Sequence, residues 1–212
     1  MSTFQSNYEE VSSSSTSTTN SNIQSPMNIN PSKQKLSSPN NQNNRIDIII
    51  VTILLHILAE NKKSKDYYKK MNSNKDGHFT LQMKTSISLL GYLRRIIKYV
   101  KMEFSTLIIS MIYIDRICKE KVFLNEYNIH RIMLIAIYIA YKYNEDCIYD
   151  NKYLALVSGI SKSEMILLEQ EFLELIDFQL YVSEDLFKQY KNCLNKNTEE
   201  INFCEIKIPS LL

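Results

Sequence analysis

All four prolines lie toward the ends of the chain, at positions 26, 31, 39 and 209, so no residue between Asn40 and Ile208 is obliged to break a helix. Glycine is scarce as well, with only Gly77, Gly91 and Gly159. A sheet protein of 212 residues needs many more turn residues, and the hairpin dipeptides are missing apart from Asp76-Gly77. The expected fold class is therefore all-α. Hydrophobic residues make up 44% of the chain, enough to bury a core, and the length suits one domain with tails rather than two full-sized domains.

The hydrophobic spacing agrees with helices. Ile87, Leu90, Leu93, Ile97 and Val100 share one face of a helix predicted over Ser86 to Lys101. Phe104, Leu107, Ile108, Met111 and Ile112 do the same over Ser105 to Cys118. Outer helices are expected over Asp47 to Glu60 and over Ser183 to Leu194, the latter with Ser183 as N-cap. The segment Glu126 to Tyr143 is different, because Ile132 to Ala140 is apolar around its whole circumference. Such a helix is enclosed by neighbours, and Ala136 and Ala140 would let one of them approach closely. Its β-branched content suits a buried strand, but its length exceeds that of ordinary strands. A short helix near Asn151 to Val157 should end at Gly159, and the capping box Ser161 to Glu164 should open a fifth, running to Asp177.

Residues 1–44 are dominated by Ser, Thr and Asn with hardly any large apolar side chain, a composition that cannot offset an ordering entropy of about 1–2 kcal/mol per residue. This tail is expected to be disordered; Ser25-Pro26 and Ser38-Pro39 are steps that a proline-directed kinase could phosphorylate, though such pairs arise readily in a Ser-rich tail and that reading is the favoured one. The longest apolar run, Ile46 to Ala59, is too short to span a bilayer and carries Asp47 and His56. With no basic, apolar leader at the N-terminus, the protein is expected to be intracellular. Lys62-Lys63-Ser64-Lys65 reads as a solvated turn rather than a localisation signal.

No enzymatic constellation is present. There is no Gly-rich phosphate loop, no His-Glu-x-x-His and no Gly-x-Ser-x-Gly, so no catalytic residue, cofactor or small-molecule substrate is expected. The acidic pairs Glu9-Glu10, Glu145-Asp146 and Glu199-Glu200 read as solvated surface. Cys118, Cys147, Cys193 and Cys204 share no ligand spacing with His56, His78 and His130, so no metal is expected and the thiols are placed mostly in the core. Twenty-five Lys and Arg against 23 Asp and Glu leave a net charge of +2, which removes the broad electrostatic case for nucleic acid. What remains is a helical binding module.

One family matches that description. The stretch "SISLLGYLRRIIKYVKMEFSTLIISMIYIDRI" and the later "NIHRIMLIAIYIAYKYNEDCIYDNKYLALVSGISKSEMILLEQEFLELIDFQLYV" resemble the cyclin box, and within it the P-type, phosphate-pathway-like cyclins. The carriers are "YIDR" at Tyr113 to Arg116, "HR" at His130-Arg131, "AYKY" at Ala140 to Tyr143, "GIS", and "LLEQEFLELIDFQL" from Leu167 to Leu180. The resemblance divides the chain into a tail (1–44), an N-terminal helix and connecting loop (45–79), a single five-helix box with its third helix central (80–182), and a C-terminal helix and tail (183–212). It implies a regulatory subunit that binds and activates a cyclin-dependent protein kinase, with no membrane and no nucleic acid among its partners.

Position by position, the resemblance implies that Lys142 and Glu169 grip the backbone just before the kinase's C-helix. Tyr143, Leu173, Phe178 and Leu180 would receive the helix itself. A lysine donates to carbonyls and a carboxylate accepts from amides, so the two fix a register that apolar contact alone leaves loose. The arginine that in many cyclins pairs with the equivalent of Asp115 is missing here, which leaves Lys119, four residues on, as the expected partner at an exposed site. The family's substrate-docking patch is not recognisable in the first box helix. The leading alternative is a cyclin-like domain of the transcription-factor-B type, which binds nucleic acid or the transcription machinery, usually through two repeats with a basic face, and whose nucleic-acid affinity would fall steeply with salt.

Overall fold

The computed structural model of the protein describes residues 46–73 and 77–199. The expected features of residues 1–44, together with Cys204 and Glu200, lie outside them. The described residues form helices α1 (Ile46–Lys63), α2 (Tyr67–Ser73), α3 (Leu89–Tyr99), α4 (Phe104–Glu120), α5 (Ile129–Asn144), α6 (Asn151–Ser158), α7 (Lys162–Leu175) and α8 (Glu184–Glu199), with no strand among them. The all-α expectation holds, and α3 to α7 are the five helices predicted from spacing.

The hub is α5. Every residue from Ile132 to Tyr141 is buried, and Ile132, Ile135, Ala136 and Ala140 are wholly inaccessible. It packs against α3, α4 and α7, which is why a helix apolar on all sides is stable here. Its start is three residues later than the spacing suggests. Asn125 and Asn128 are buried and bond to the local backbone: Asn125 N–H donates to Asn128 Oδ1 (2.8 Å) and Tyr127 N–H to Asn125 Oδ1 (2.8 Å). Short polar side chains that satisfy nearby backbone groups hold off the helix until Ile129.

The other ends follow local chemistry. Ser88 accepts from Gly91 N–H (3.1 Å) and opens α3, while Asp150 accepts from Tyr153 N–H (2.7 Å) and opens α6. Gly159 closes α6 at φ +74°, in the left-handed region where only glycine is unstrained. Ser161 accepts from Glu164 N–H (3.0 Å) as a capping box requires, but the Glu164 carboxylate pairs with Arg131 of α5. Glu103 offers no side-chain cap to α4, and Glu145 from the end of α5 supplies one, accepting from Glu103 N–H (2.8 Å) and Thr106 Oγ1 (2.5 Å). Glu145 is thus a capping group rather than solvated surface.

Four further readings change. The connecting stretch after α1 contains α2, whose Tyr67 is buried edge-on to Phe123, a tertiary contact without sequence periodicity. Lys62 is tied to Glu126 (2.8 Å) rather than simply solvated. Cys147 is exposed and Cys193 half-buried, so of the described thiols only Cys118 packs against the core, where burial pushes its pKa up to about 12. Asp115 is buried, with Tyr190 of α8 donating to its Oδ2 (2.5 Å) and Lys119 at 3.8 Å, so the carboxylate ties the C-terminal helix to α4. Burial raises its pKa, against the Tyr190 hydrogen bond.

His130, at the start of α5, links that helix to the strap before α3. Its Nε2 lies 3.0 Å from Ile87 O and therefore carries the proton, while Nδ1 is buried with no hydrogen-bond partner among the described residues. Burial lowers its pKa from 6.5, against the Ile87 bond. Above pH 6.5 the ring is neutral in both folded and unfolded chains; below it the unfolded chain takes up the proton first, so stability falls as pH drops through the lowered folded value. The melting temperature is expected to decline over that window, and less steeply in His130→Gln. Equal slopes in the two proteins would contradict this origin.

Candidate functional site

The candidates lie on three elements: the C-terminal end of α5, the body of α7, and the segment 177–182 that follows it. α5 and α7 pack directly on each other, and Met165, Leu168 and Phe172 of α7 are buried in the core. That packing sets Lys142, in the last turn of α5, beside Glu169, midway along α7. Lys142 Nζ donates to Glu169 Oε1 at 2.6 Å, with the two side chains 32% and 17% exposed. The ammonium also sits 5.1 Å from the ring centroid of Tyr138, one turn earlier on α5. Burial alone would lower the Lys142 pKa, but the Glu169 hydrogen bond and charge outweigh it and hold the pKa above its ordinary value. The lysine is therefore fully protonated at neutral pH and supplies two donors beyond the one engaged.

The apolar candidates divide. Tyr143 is 53% exposed and Phe178 67%, so both are available to a partner. Leu173 and Leu180 are half-buried against the core, contributing to the fold as well as the surface. Tyr181, which sequence reasoning did not single out, is 74% exposed.

The segment carrying Phe178 is held in a strained shape. Asp177 and Phe178 have φ of +52° and +56°, where a side-chain-bearing residue costs about 1–2 kcal/mol. Phe178 N–H returns to Leu173 O (2.9 Å), a closing bond of the kind usually made around glycine. The strain persists because α4 grips the segment from the side. Tyr113 donates to Leu180 O (2.8 Å), Arg116 donates to Gln179 O (2.5 Å) and Tyr181 O (2.9 Å), and Lys121 pairs with Asp177 (2.6 Å). Burial pushes the Tyr113 phenol up to about 12, so it remains a donor across the physiological range. Tyr113 and Arg116 belong to the "YIDR" motif, but that they support this segment was not read from the sequence. Their spacing of three, on one helix face, was the available signal.

Phe178→Gly should leave stability unchanged or raise it by up to about 1 kcal/mol, because relief of the positive φ is offset only by the entropy of the unfolded glycine. A thermal melt checks this. A clear loss of stability would mean that the exposed ring packs on the fold.

The arrangement joins Lys142 and Glu169 across α5 and α7 and leaves Tyr143 and Phe178 exposed. It offers donors, an acceptor and aromatic surface in fixed positions, which suits the recognition of another protein's backbone and apolar side chains. No group of three or more metal-ligating side chains occurs among the described residues, and no helix there is long and apolar enough to cross a membrane.

Comparison with known proteins is in keeping with the fold. The family whose model matches is described as Cyclin, over residues 5–180. Cyclin-U4-3 of Arabidopsis thaliana is 35% identical over 143 residues, covering 66% of this chain and 64% of that protein. Cyclin-U4-1 of the same plant is 30% identical over 151 residues, covering 69% and 75%. Cyclin-P4-1 of Oryza sativa subsp. japonica is 37% identical over 109 residues, covering 50% and 51%. The match to the first of these spans just under two thirds of that relative's own length, and both U-type and P-type names occur among the relatives.

Proposed function

The chain belongs to the cyclin family, and from that premise we propose that it is a regulatory subunit that binds a cyclin-dependent protein kinase and activates it by positioning the kinase's C-helix. The observation that carries this reading is the Lys142–Glu169 pair, 2.6 Å apart where α5 meets α7, on the elements that also bear the exposed Tyr143 and lead to the exposed Phe178. In this proposal Lys142 donates to carbonyls and Glu169 accepts from amides of the kinase backbone, while Tyr143, Leu173, Phe178 and Leu180 contact the helix.

The chemistry of activation lies in the kinase. Its C-helix glutamate must reach the lysine that holds the ATP phosphates, an arrangement disfavoured in the isolated enzyme. A partner that binds the inward position of that helix more tightly than the outward one shifts the population toward it, so activation equals a difference in affinity between two states. Moving a kinase from about 1% to 99% active requires roughly 10⁴-fold preference. The strained but firmly held 177–182 segment supports this role, because an aromatic group already in place loses little entropy on binding.

The test is reconstitution: purified chain titrated into a panel of purified cyclin-dependent kinases, with phosphorylation of a generic substrate as readout. Saturable activation of at least one kinase, largely insensitive to moderate salt, is the expected result. A panel with neither binding nor activation, or tight nucleic-acid binding that collapses with salt in its place, would overturn it.

A further inference from the structure

Tyr138 has no place in the contact set above, and its environment is unusual. The residue is 3% exposed on α5, yet its hydroxyl is buried with no hydrogen-bond partner among the described residues. A phenylalanine would fill the same space without leaving a buried hydroxyl unpaired. No well-formed bond holds this hydroxyl in the free protein, and its neighbours indicate where one would form. Lys142 lies one helical turn ahead with Nζ 5.1 Å from the ring centroid. After burial, the largest influences on the phenol are the charges of Glu169, which raises its pKa, and Lys142, which lowers it; weaker hydrogen-bond influences from the same two groups put both beside the hydroxyl, though neither makes a bond of full geometry.

In the free protein Lys142 donates to Glu169. To engage carbonyl oxygens on a partner, the ammonium must turn outward at least in part, and the carboxylate then loses its one internal donor of known position. We propose that Tyr138 is a positioning residue for this pair, its hydroxyl donating to the Glu169 carboxylate when Lys142 turns toward the partner. The inference rests on the kinase-binding reading and deepens it. A hydrogen bond from the rigid, buried phenol fixes the carboxylate for the partner's amides, limiting the side-chain entropy lost on binding.

The experiment is equilibrium binding of the full chain to a cyclin-dependent kinase that it activates, with thermal melts in parallel, for Tyr138→Phe, Lys142→Ala, Glu169→Ala and the double variant Y138F/E169A. Y138F is expected to melt at or above the wild-type temperature and to bind the kinase about three- to tenfold more weakly. In the Glu169→Ala background it should have no further effect on affinity, a coupling that a merely structural role would not produce. Full affinity of Y138F beside weakened E169A overturns the positioning role and leaves the kinase reading standing. So does an equal loss in both backgrounds, or a lower melting temperature, which would place the hydroxyl's bond in the free protein. Wild-type affinity in K142A and E169A alike removes both the kinase reading and the proposal built on it.

Discussion

Phe172→Ala is expected to cost about 3–5 kcal/mol of stability, the range for removing a fully buried aromatic side chain from a core that relaxes only in part. Phe172 of α7 is wholly inaccessible. Its ring meets Phe79 edge-on at 6.2 Å, joining the strap before α3 to the hub. No nearby side chain is free to fill the void, since Met165 and Leu168 on the same face are themselves buried. A domain of this size is stable by about 5–15 kcal/mol in all, so the variant loses a large share and should melt roughly 10 °C lower. Denaturant unfolding checks the figure. A loss under about 1 kcal/mol would mean that the α5–α7 interface repacks easily, and the exact placement of Lys142 against Glu169 would lose its support.

The second large effect concerns binding. Lys142→Ala or Glu169→Ala should weaken kinase binding by about 1–3 kcal/mol, roughly 5- to 150-fold. The fold itself should change little. The Lys142 side chain is 32% exposed and Glu169 17%, and an ion pair open to water is worth about 1 kcal/mol or less to stability. The charge-swapped variant Lys142→Glu with Glu169→Lys separates the two roles. Internal attraction is preserved, so the melting temperature should return toward wild type. Binding should not return, because the partner's carbonyls and amides do not exchange places with the donors and acceptors facing them. Wild-type binding by the swapped variant would show that only the pair's internal attraction matters.

Much of the fold was legible from residue order alone. A chain whose prolines all lie outside the helical region and whose third box helix is apolar on every side has few alternatives to a helical domain with that helix inside. Caps written in short motifs, at Ser161 and Gly159, were readable too, because they depend on groups only a few bonds away. The candidate site was legible only by resemblance. Nothing in the spacing of Lys142 and Glu169, 27 residues apart, says that they meet.

Residue order settles local matters: which segments are helices, where most of them stop, and which faces are apolar. The tertiary structure decided the pairings across long separations. Glu145 caps α4, Tyr190 joins Asp115 across 75 residues, and Tyr113 with Arg116 pins the strained turn at Phe178. The division has a physical basis. Helix formation is governed by neighbours within about four residues, whose preferences a sequence displays directly. A polar side chain that is buried or clamps a strained backbone takes whichever partner the packed helices bring within about 3 Å, and no local pattern encodes that choice.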